Sequence, residues 1–516
     1  MARHLLSIDQ GTTGSTALVM GIDGRTLGRE SVELPQHFPQ AAWVEHDPAE
    51  ILATVEQAVA GALRAAGVRG SEIVALGITN QRETTLVWDR ASGRPIHRAI
   101  VWQDRRTTDV CQRLQAEGHE DMVRERSGLV LDPYFSATKV AWLLDAYGLR
   151  ARAEAGELAF GTIDSFLIWS LSGGARTQAA HVIEVSNASR TSLMNLESLS
   201  WDEELCRLFR VPEAVLPRIV PSTGELSRTV GFAPLPDGIP IAGVAGDQQA
   251  ALFGQACFEP GDAKCTYGTG AFLVVNTGGQ RVRSRHGLLS TVGWQIGADV
   301  VYALEGSCFV AGAAVQWLRD GLGLIRSSSE VEALALSVPS SDGVVFVPAL
   351  SGLGAPHWDP DARGLISGLT RGSSAGHIAR ATLEAIAFQV SDLVSAIRED
   401  LAATAQPAGQ VGRICDSALG VARIRVDGGA AENNLLMQFQ SDVSNLSIER
   451  PLDLESTARG AAMLAGVGVG LFSGVKQAAQ MVEHPHRFEP SMAEPVRKQH
   501  IERWQAALAR TRSYAN

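Results

Sequence analysis

Over the first twenty residues the apolar positions fall in two short runs, 5–8 and 17–20, either side of a polar, Gly- and Thr-rich stretch over 9–16. Two such runs around a turn signal predict a β-hairpin. The spacing then changes. Ile51, Val55, Ala58, Val59 and Leu63 recur at helical intervals. Asp47 is placed to cap that helix, Pro48 suits its first position, Glu50 stands where it would complete a capping box, and Gly67 ends it. Strand-like runs follow at 73–78 and 86–88. Strands alternating with helices predict an α/β fold.

The second half repeats this grammar. Asp9-Gln10-Gly11-Thr12-Thr13 lies between the first two apolar runs, and Thr266-Tyr267-Gly268-Thr269-Gly270 precedes another at 271–275. Tight turns of this kind offer backbone N–H groups and hydroxyls to an anion. Two of them predict duplicated domains facing one cleft, 1–253 and 254–516, divided where Gly254 and Pro260-Gly261 interrupt the pattern. A third loop, Asp427-Gly428-Gly429-Ala430, sits between a strand at 424–426 and a helix at 433–443, which brings a helix N-terminus toward a ligand. The small, apolar run at 461–472 falls short of the roughly 20 residues of a membrane span and reads as a buried helix.

At 516 residues the chain exceeds what one growing core accommodates, so at least two domains are expected. Its 45 basic and 56 acidic residues leave a formal charge of −11, with no basic block, so nucleic acid is excluded as an expected partner. Nothing at the N-terminus reads as an export signal. The six cysteines lack metal-ligand spacing and read as reduced, buried thiols, which points to the cytoplasm.

The chemistry-bearing positions suit phosphoryl transfer, which needs a phosphate clamp, a carboxylate for metal, a base at the acceptor hydroxyl and walls that exclude water. Asp9 ends the first strand beside its turn and could orient hydrated Mg²⁺; its plainer reading is an Asx turn. Asp247 follows the apolar run at 241–245, where an α/β fold places a base; otherwise it is a helix N-cap. The connection Thr79-Asn80-Gln81-Arg82-Glu83-Thr84-Thr85 is unusually polar. Arg82 as donor and Glu83 as acceptor could bind vicinal hydroxyls; the alternative is an exposed hairpin tip with a surface ion pair. Trp102 and Tyr134 could pack against the C–H face of a polyol, or simply belong to the core.

Taken together, these residues resemble the FGGY carbohydrate kinases over nearly the whole chain. The resemblance is carried by WVEHDP at 43–48, GITNQRETT at 77–85, DPYFSATKVAW at 132–142, AGDQQAALFGQ at 245–255, YGTG at 267–270 and DGGAAENNLLMQFQSD at 427–442. Stretches 134–145 and 364–384 are similar to the two family signatures, and NQRETT to the branch acting on glycerol. The resemblance implies two actin-like, ribonuclease-H-like ATPase domains with the active site in the cleft between them, and ATP- and Mg²⁺-dependent phosphorylation of glycerol. It implies a homo-oligomer, dimer or tetramer. It assigns Arg82, Glu83, Tyr134, Asp247 and Gln248 to the glycerol hydroxyls and Trp102 and Phe272 to its carbons. Asp247 becomes the general base, and Asp9 with Asp247 the Mg²⁺ anchors. Thr12, Thr13, Gly14 and Thr269 would hold phosphates, while Gly312, Gln316, Ala430 and Asn434 would frame the nucleoside.

The sequence also departs from the pattern. Thr16 stands where the family carries a basic residue, Val230-Gly231-Phe232-Ala233-Pro234 replaces a sugar-bisphosphate regulatory loop, and 402–422 is expanded into an expected surface loop. The residues alone leave open a kinase of another small polyol or ketose. They also leave open a nucleotide-responsive binding protein, for which Thr16 is the supporting feature.

Overall fold

The first sheet comprises β1 (His4–Gln10), β2 (Gly14–Gly21), β3 (Thr26–Glu33), β4 (Ile73–Asn80), β5 (Thr223–Arg228) and β6 (Pro240–Gly246), in the order β5-β6-β4-β1-β2-β3. The computed structural model describes residues 4–512 except 178, 360, 405–419 and 483–484. Most of the expected 402–422 loop, and Cys415 with it, lies outside the described residues. β1 and β2 form the expected antiparallel hairpin, tightened until only 11–13 remain in the turn. β4 runs parallel to β1, and β6 parallel to β4.

The second sheet comprises β7 (Ala263–Tyr267), β8 (Ala271–Gly278), β9 (Leu289–Ile296), β10 (Asp299–Cys308), β11 (Arg423–Asp427), β12 (Ser447–Arg450) and β13 (His486–Phe488), in the order β9-β10-β8-β7-β11-β12-β13. Its core β10-β8-β7-β11-β12 matches β3-β2-β1-β4-β6 strand for strand. In each, a hairpin and a third antiparallel strand lie on one side of the first strand, and two parallel strands on the other. The two Gly-Thr turns occupy equivalent places, between first and second strands.

The central strands β1, β2, β4 and β6 are covered on both faces, which is why they read as largely apolar runs, whereas the edge strands β3 and β5 are mostly polar. Leu6, Ile8, Ala17 and Val19 face helix α1 (Pro48–Ala66), while Leu5, Leu18 and Met20 face the other way. Asp47 caps α1 by accepting from Ala49 N at 2.9 Å. Glu50 does not complete the expected capping box: its carboxylate meets His37 Nε2 at 2.8 Å.

The opposite face is closed by helices α2 (Asp247–Gly254), which starts at the end of β6, and α5 (Ser456–Gly468), from far along the chain. Between them along the chain come α3 (Gly312–Asp320) and α4 (Asn434–Ser444). α5 contains the first part of the 461–472 run, which is the expected buried helix up to Gly468. No helix among the described residues is long and apolar enough to cross a membrane. α2 and α5 meet backbone to backbone: a Cβ on Gly460 would lie 1.9 Å from Ala250 O, and one on Gly254 1.9 Å from Ser456 O.

Gly460→Ala therefore sets a helix-propensity gain of at most about 1 kcal/mol against overpacking of about 1–3 kcal/mol. A backbone neighbour cannot rotate away, so the clash dominates. The variant is expected to unfold at lower temperature and lower denaturant concentration than the parent; an unchanged midpoint would mean that this contact is loose.

Candidate active site

Parallel pairing brings the carboxyl ends of β1, β4 and β6 to one level, with Gln10 opposite Asn80 and Asn80 opposite Gly246. Ligands of open α/β sheets gather outside such ends. Asp9 belongs to the first end, Arg82 and Glu83 follow the second, and Asp247 follows the third. The Asp9 carboxylate does not form the turn, which is closed by Gly11 N donating to Gly14 O at 2.9 Å and by the Gln10 and Gln81 amides donating to Gly11 O. Asp247 is the first residue of α2, with Gly246 as N-cap, so it is not the cap.

Residues 79–85 are buried throughout, which overturns the exposed-tip reading. Thr84 N donates to Arg82 O at 2.6 Å, bending the chain into a γ-turn centred on Glu83 at φ 59°. This geometry is rare and strained for a non-glycine residue. Ser136 Oγ and Thr85 Oγ1 hold it by donating to Glu83 O at 3.0 and 2.9 Å.

Around this turn lies a buried charge network in which every side chain is held by at least one hydrogen bond or ion pair. Arg82 donates through Nη1 and Nη2 to Glu305 at 2.5 and 2.9 Å, and its Nε lies 3.2 Å from Asp247 Oδ1. Arg190 donates from Nε to Glu83 Oε1 at 2.6 Å and from Nη2 to Glu305 Oε1 at 3.1 Å. Burial alone would raise the Glu305 carboxyl, but the Arg190 and Arg82 guanidiniums outweigh it and hold the group down at about 2. At Glu83 burial prevails over Arg190 and Arg82, and the carboxyl is raised.

Three partly buried aromatic rings border this network. Trp102 meets Tyr134 edge-on at 5.5 Å between centroids and Phe272 at 6.5 Å. Trp102 Nε1 donates to Thr12 Oγ1 at 2.9 Å, which ties the aromatic wall to the first Gly-Thr turn.

Carboxylates accumulate on the other side of Asp247. Burial, followed by the charges of Asp247, Glu455 and Asp427, raises the Asp9 carboxyl well above its ordinary range. Among the described residues no three metal-ligating side chains converge to hold an ion outright. A negative cluster anchored by one or two carboxylates fits Mg²⁺, which keeps several waters and binds with substrate phosphates. Lys264, buried on β7, faces the same space: burial lowers its ammonium pKa while Asp427 and Asp247 oppose the fall, and its Nζ donates to Gln248 Oε1 and, at 2.9 Å, to Thr266 Oγ1.

The remaining expected positions line the loops. Thr13 is exposed, with its carbonyl accepting from Leu34 N, and Gly14 opens β2. Thr269 is exposed beside Gly312, where a Cβ would lie 2.6 Å from Gly268 O, so the start of α3 needs glycine for its close approach to the second turn. Gln316 is exposed on α3, Ala430 sits in the turn before α4, and Asn434 opens α4 with its Oδ1 accepting from Arg450 Nη2 at 2.9 Å. No hydrogen bond among the described residues joins these last three to the Arg82–Glu83 cluster. Thr16 pairs with Asp9 across the hairpin and shares a hydrogen bond with Ser31 Oγ at 2.9 Å.

Residues 4–254 match the N-terminal domain of the FGGY family of carbohydrate kinases, and residues 263–469 match its C-terminal domain. The chain belongs to the FGGY carbohydrate kinases. It is 55% identical to a glycerol kinase of Aromatoleum aromaticum and 51% identical to one of Myxococcus xanthus, each alignment covering 99% of both proteins. The crystal structure of Plasmodium falciparum glycerol kinase with ADP superposes with a TM-score of 0.89 at 33% identity, covering 99% of each chain. The two matching sheets are thus the actin-like, ribonuclease-H-like ATPase fold of this FGGY member.

Crowding of carboxylates has a measurable cost before ligands bind. A carboxyl with a raised folded-state pKa destabilises the fold above its unfolded value, where the group must ionise. Asp9→Asn is therefore expected to raise the thermal midpoint of the ligand-free protein at pH 8, and the gain should shrink as the pH falls through the raised value. A lower midpoint at pH 8 would contradict the crowding.

Proposed function

We infer that this chain transfers the γ-phosphoryl group of ATP to glycerol, giving ADP and sn-glycerol 3-phosphate. The observation that carries the reading is the convergence of Arg82, Glu83 and Asp247, with Arg82 Nε 3.2 Å from Asp247 Oδ1, beside a wall of Trp102, Tyr134 and Phe272. Arg82 donates to one hydroxyl and Glu83 accepts from its neighbour, while the rings cover the carbons. Gln248 stands next to Asp247 and completes the polar side.

Asp247 accepts the proton of the third hydroxyl as that oxygen attacks the γ-phosphorus and the bond to the bridging oxygen of ADP breaks. Its side chain is 31% exposed, enough to reach a substrate in the cleft. Thr12, Thr13 and Gly14 in one turn, with Thr269 in the other, hold the phosphates; Gly312, Gln316, Ala430 and Asn434 frame the nucleoside. Asp9 and Asp247 would hold Mg²⁺, which when bound offsets phosphate charge. Thr16 brings no cation to this clamp.

The division into domains 1–253 and 254–516 belongs to the same reading, supported by the sheet repeat. A cytoplasmic setting is supported by the cysteines, all free and buried among the described residues. Assembly as a dimer or tetramer rests on the family resemblance.

Asp247→Asn should lower kcat by roughly 10²–10⁴ in a coupled ADP-release assay while glycerol binding is largely kept; near-normal turnover would remove Asp247 from the base role. In the same assay kcat/KM should be higher for glycerol than for erythritol, xylulose or dihydroxyacetone. A better substrate among these would overturn the assignment of glycerol.

A further inference from the structure

Glu305 lies in β10 of the second sheet, opposite Val274 of β8 and Leu289 of β9, yet its carboxylate bonds residues of the first half of the chain. Both of its oxygens are engaged by Arg82, and Oε1 also accepts from Arg190. Arg190 in turn holds Glu83. Arg82, Arg190, Glu83 and Glu305 are at most 2% exposed at their side chains. The formal charges of these four, two positive and two negative, cancel, and Asp247 beside Arg82 Nε adds one negative charge at their border.

The bonds leave a particular remainder. Of the five N–H groups of Arg82, Nη1 serves Glu305 and Gln249, Nε faces Asp247, and one N–H of Nη2 serves Glu305. One Nη2 hydrogen is left. Glu83 accepts from Arg190 through Oε1, and its Oε2 has no partner among the described residues. One donor and one acceptor side by side suit a neutral diol. The nearby Lys139 spends its ammonium on the carbonyls of Tyr134 and Phe135, and Lys264 on Gln248 and Thr266.

We propose that Glu305 is a positioning residue of the polyol subsite, cancelling with Arg190 the charges of Arg82 and Glu83 so that the subsite admits an uncharged diol and rejects an anionic three-carbon analogue. This rests on the reading of Arg82 and Glu83 as glycerol ligands. Without Glu305, Arg82 would keep only Asp247, 3.2 Å from its Nε, and Glu83 as counter-charges, and the subsite, one negative charge poorer, would accept a carboxylate more readily. Selectivity for a neutral substrate is thus set by a side chain on the opposite sheet, which need not touch the substrate.

The test measures KM for glycerol and inhibition by D-glycerate in wild type, Glu305→Gln and Glu305→Asp. Wild type should phosphorylate glycerol and be insensitive to glycerate. In Glu305→Gln the glycerol KM should rise, and glycerate inhibition strengthen, each by roughly tenfold or more. A merely structural loss would weaken both ligands. Glu305→Asp keeps the charge but withdraws it, so glycerol KM should rise while glycerate stays excluded. A folded Glu305→Gln with both constants within about threefold of wild type overturns the proposal. If that variant does not fold, Glu305→Asp decides: unchanged glycerol KM overturns it. Failure of wild type to phosphorylate glycerol would instead remove the underlying functional reading.

Discussion

Parallel strands paired in register must end together, and the rest of this site depends on that constraint. Three strands stop at Gln10, Asn80 and Gly246, so chain segments far apart in sequence leave the first sheet at one edge. The side chains that leave with them are polar because the edge faces a cleft. The second sheet repeats the arrangement, with Tyr267 and Asp427 at the ends of its paired strands. Catalytic geometry here is set by backbone hydrogen bonds before any side chain contributes.

The cleft has two electrostatic poles. Around Glu83, the buried pairs Arg82–Glu305 and Arg190–Glu83 match positive and negative groups one to one. Around Asp9, the carboxylates of Asp247, Asp427 and Glu455 leave a negative excess. The function proposed above uses the first environment for an uncharged substrate and the second for a cation-bearing nucleotide. Arg82 touches both, through Glu305 on one side and Asp247 on the other.

Local patterns made much of this legible in the sequence. The first hairpin, α1 with its Asp47 cap, the repeated Gly-Thr turns and the Arg82–Glu83 pair all have signals within a few residues. Glu50 was misleading because a capping-box position carries no information about His37, which competes for it. The partners Arg190 and Glu305 were not visible, since nothing local links them to Arg82. One signal was present: Glu305 ends the run Val300-Val301-Tyr302-Ala303-Leu304 inside its strand, and a buried charge there is costly unless it is paired. Lys264 in β7 carries the same flag. Such lone charges identify a network without naming its members.

Closure of the first sheet by α5 bears on how the protein is made. During synthesis the strands of that sheet are complete once Gly246 has appeared, yet the face carrying Leu5, Leu18 and Met20 waits for residues 456–468. A nascent chain stalled between these points displays a greasy surface, a natural target for chaperones. The two halves are therefore unequal in autonomy, and truncation near the midpoint leaves a fragment prone to self-association rather than a free-standing unit.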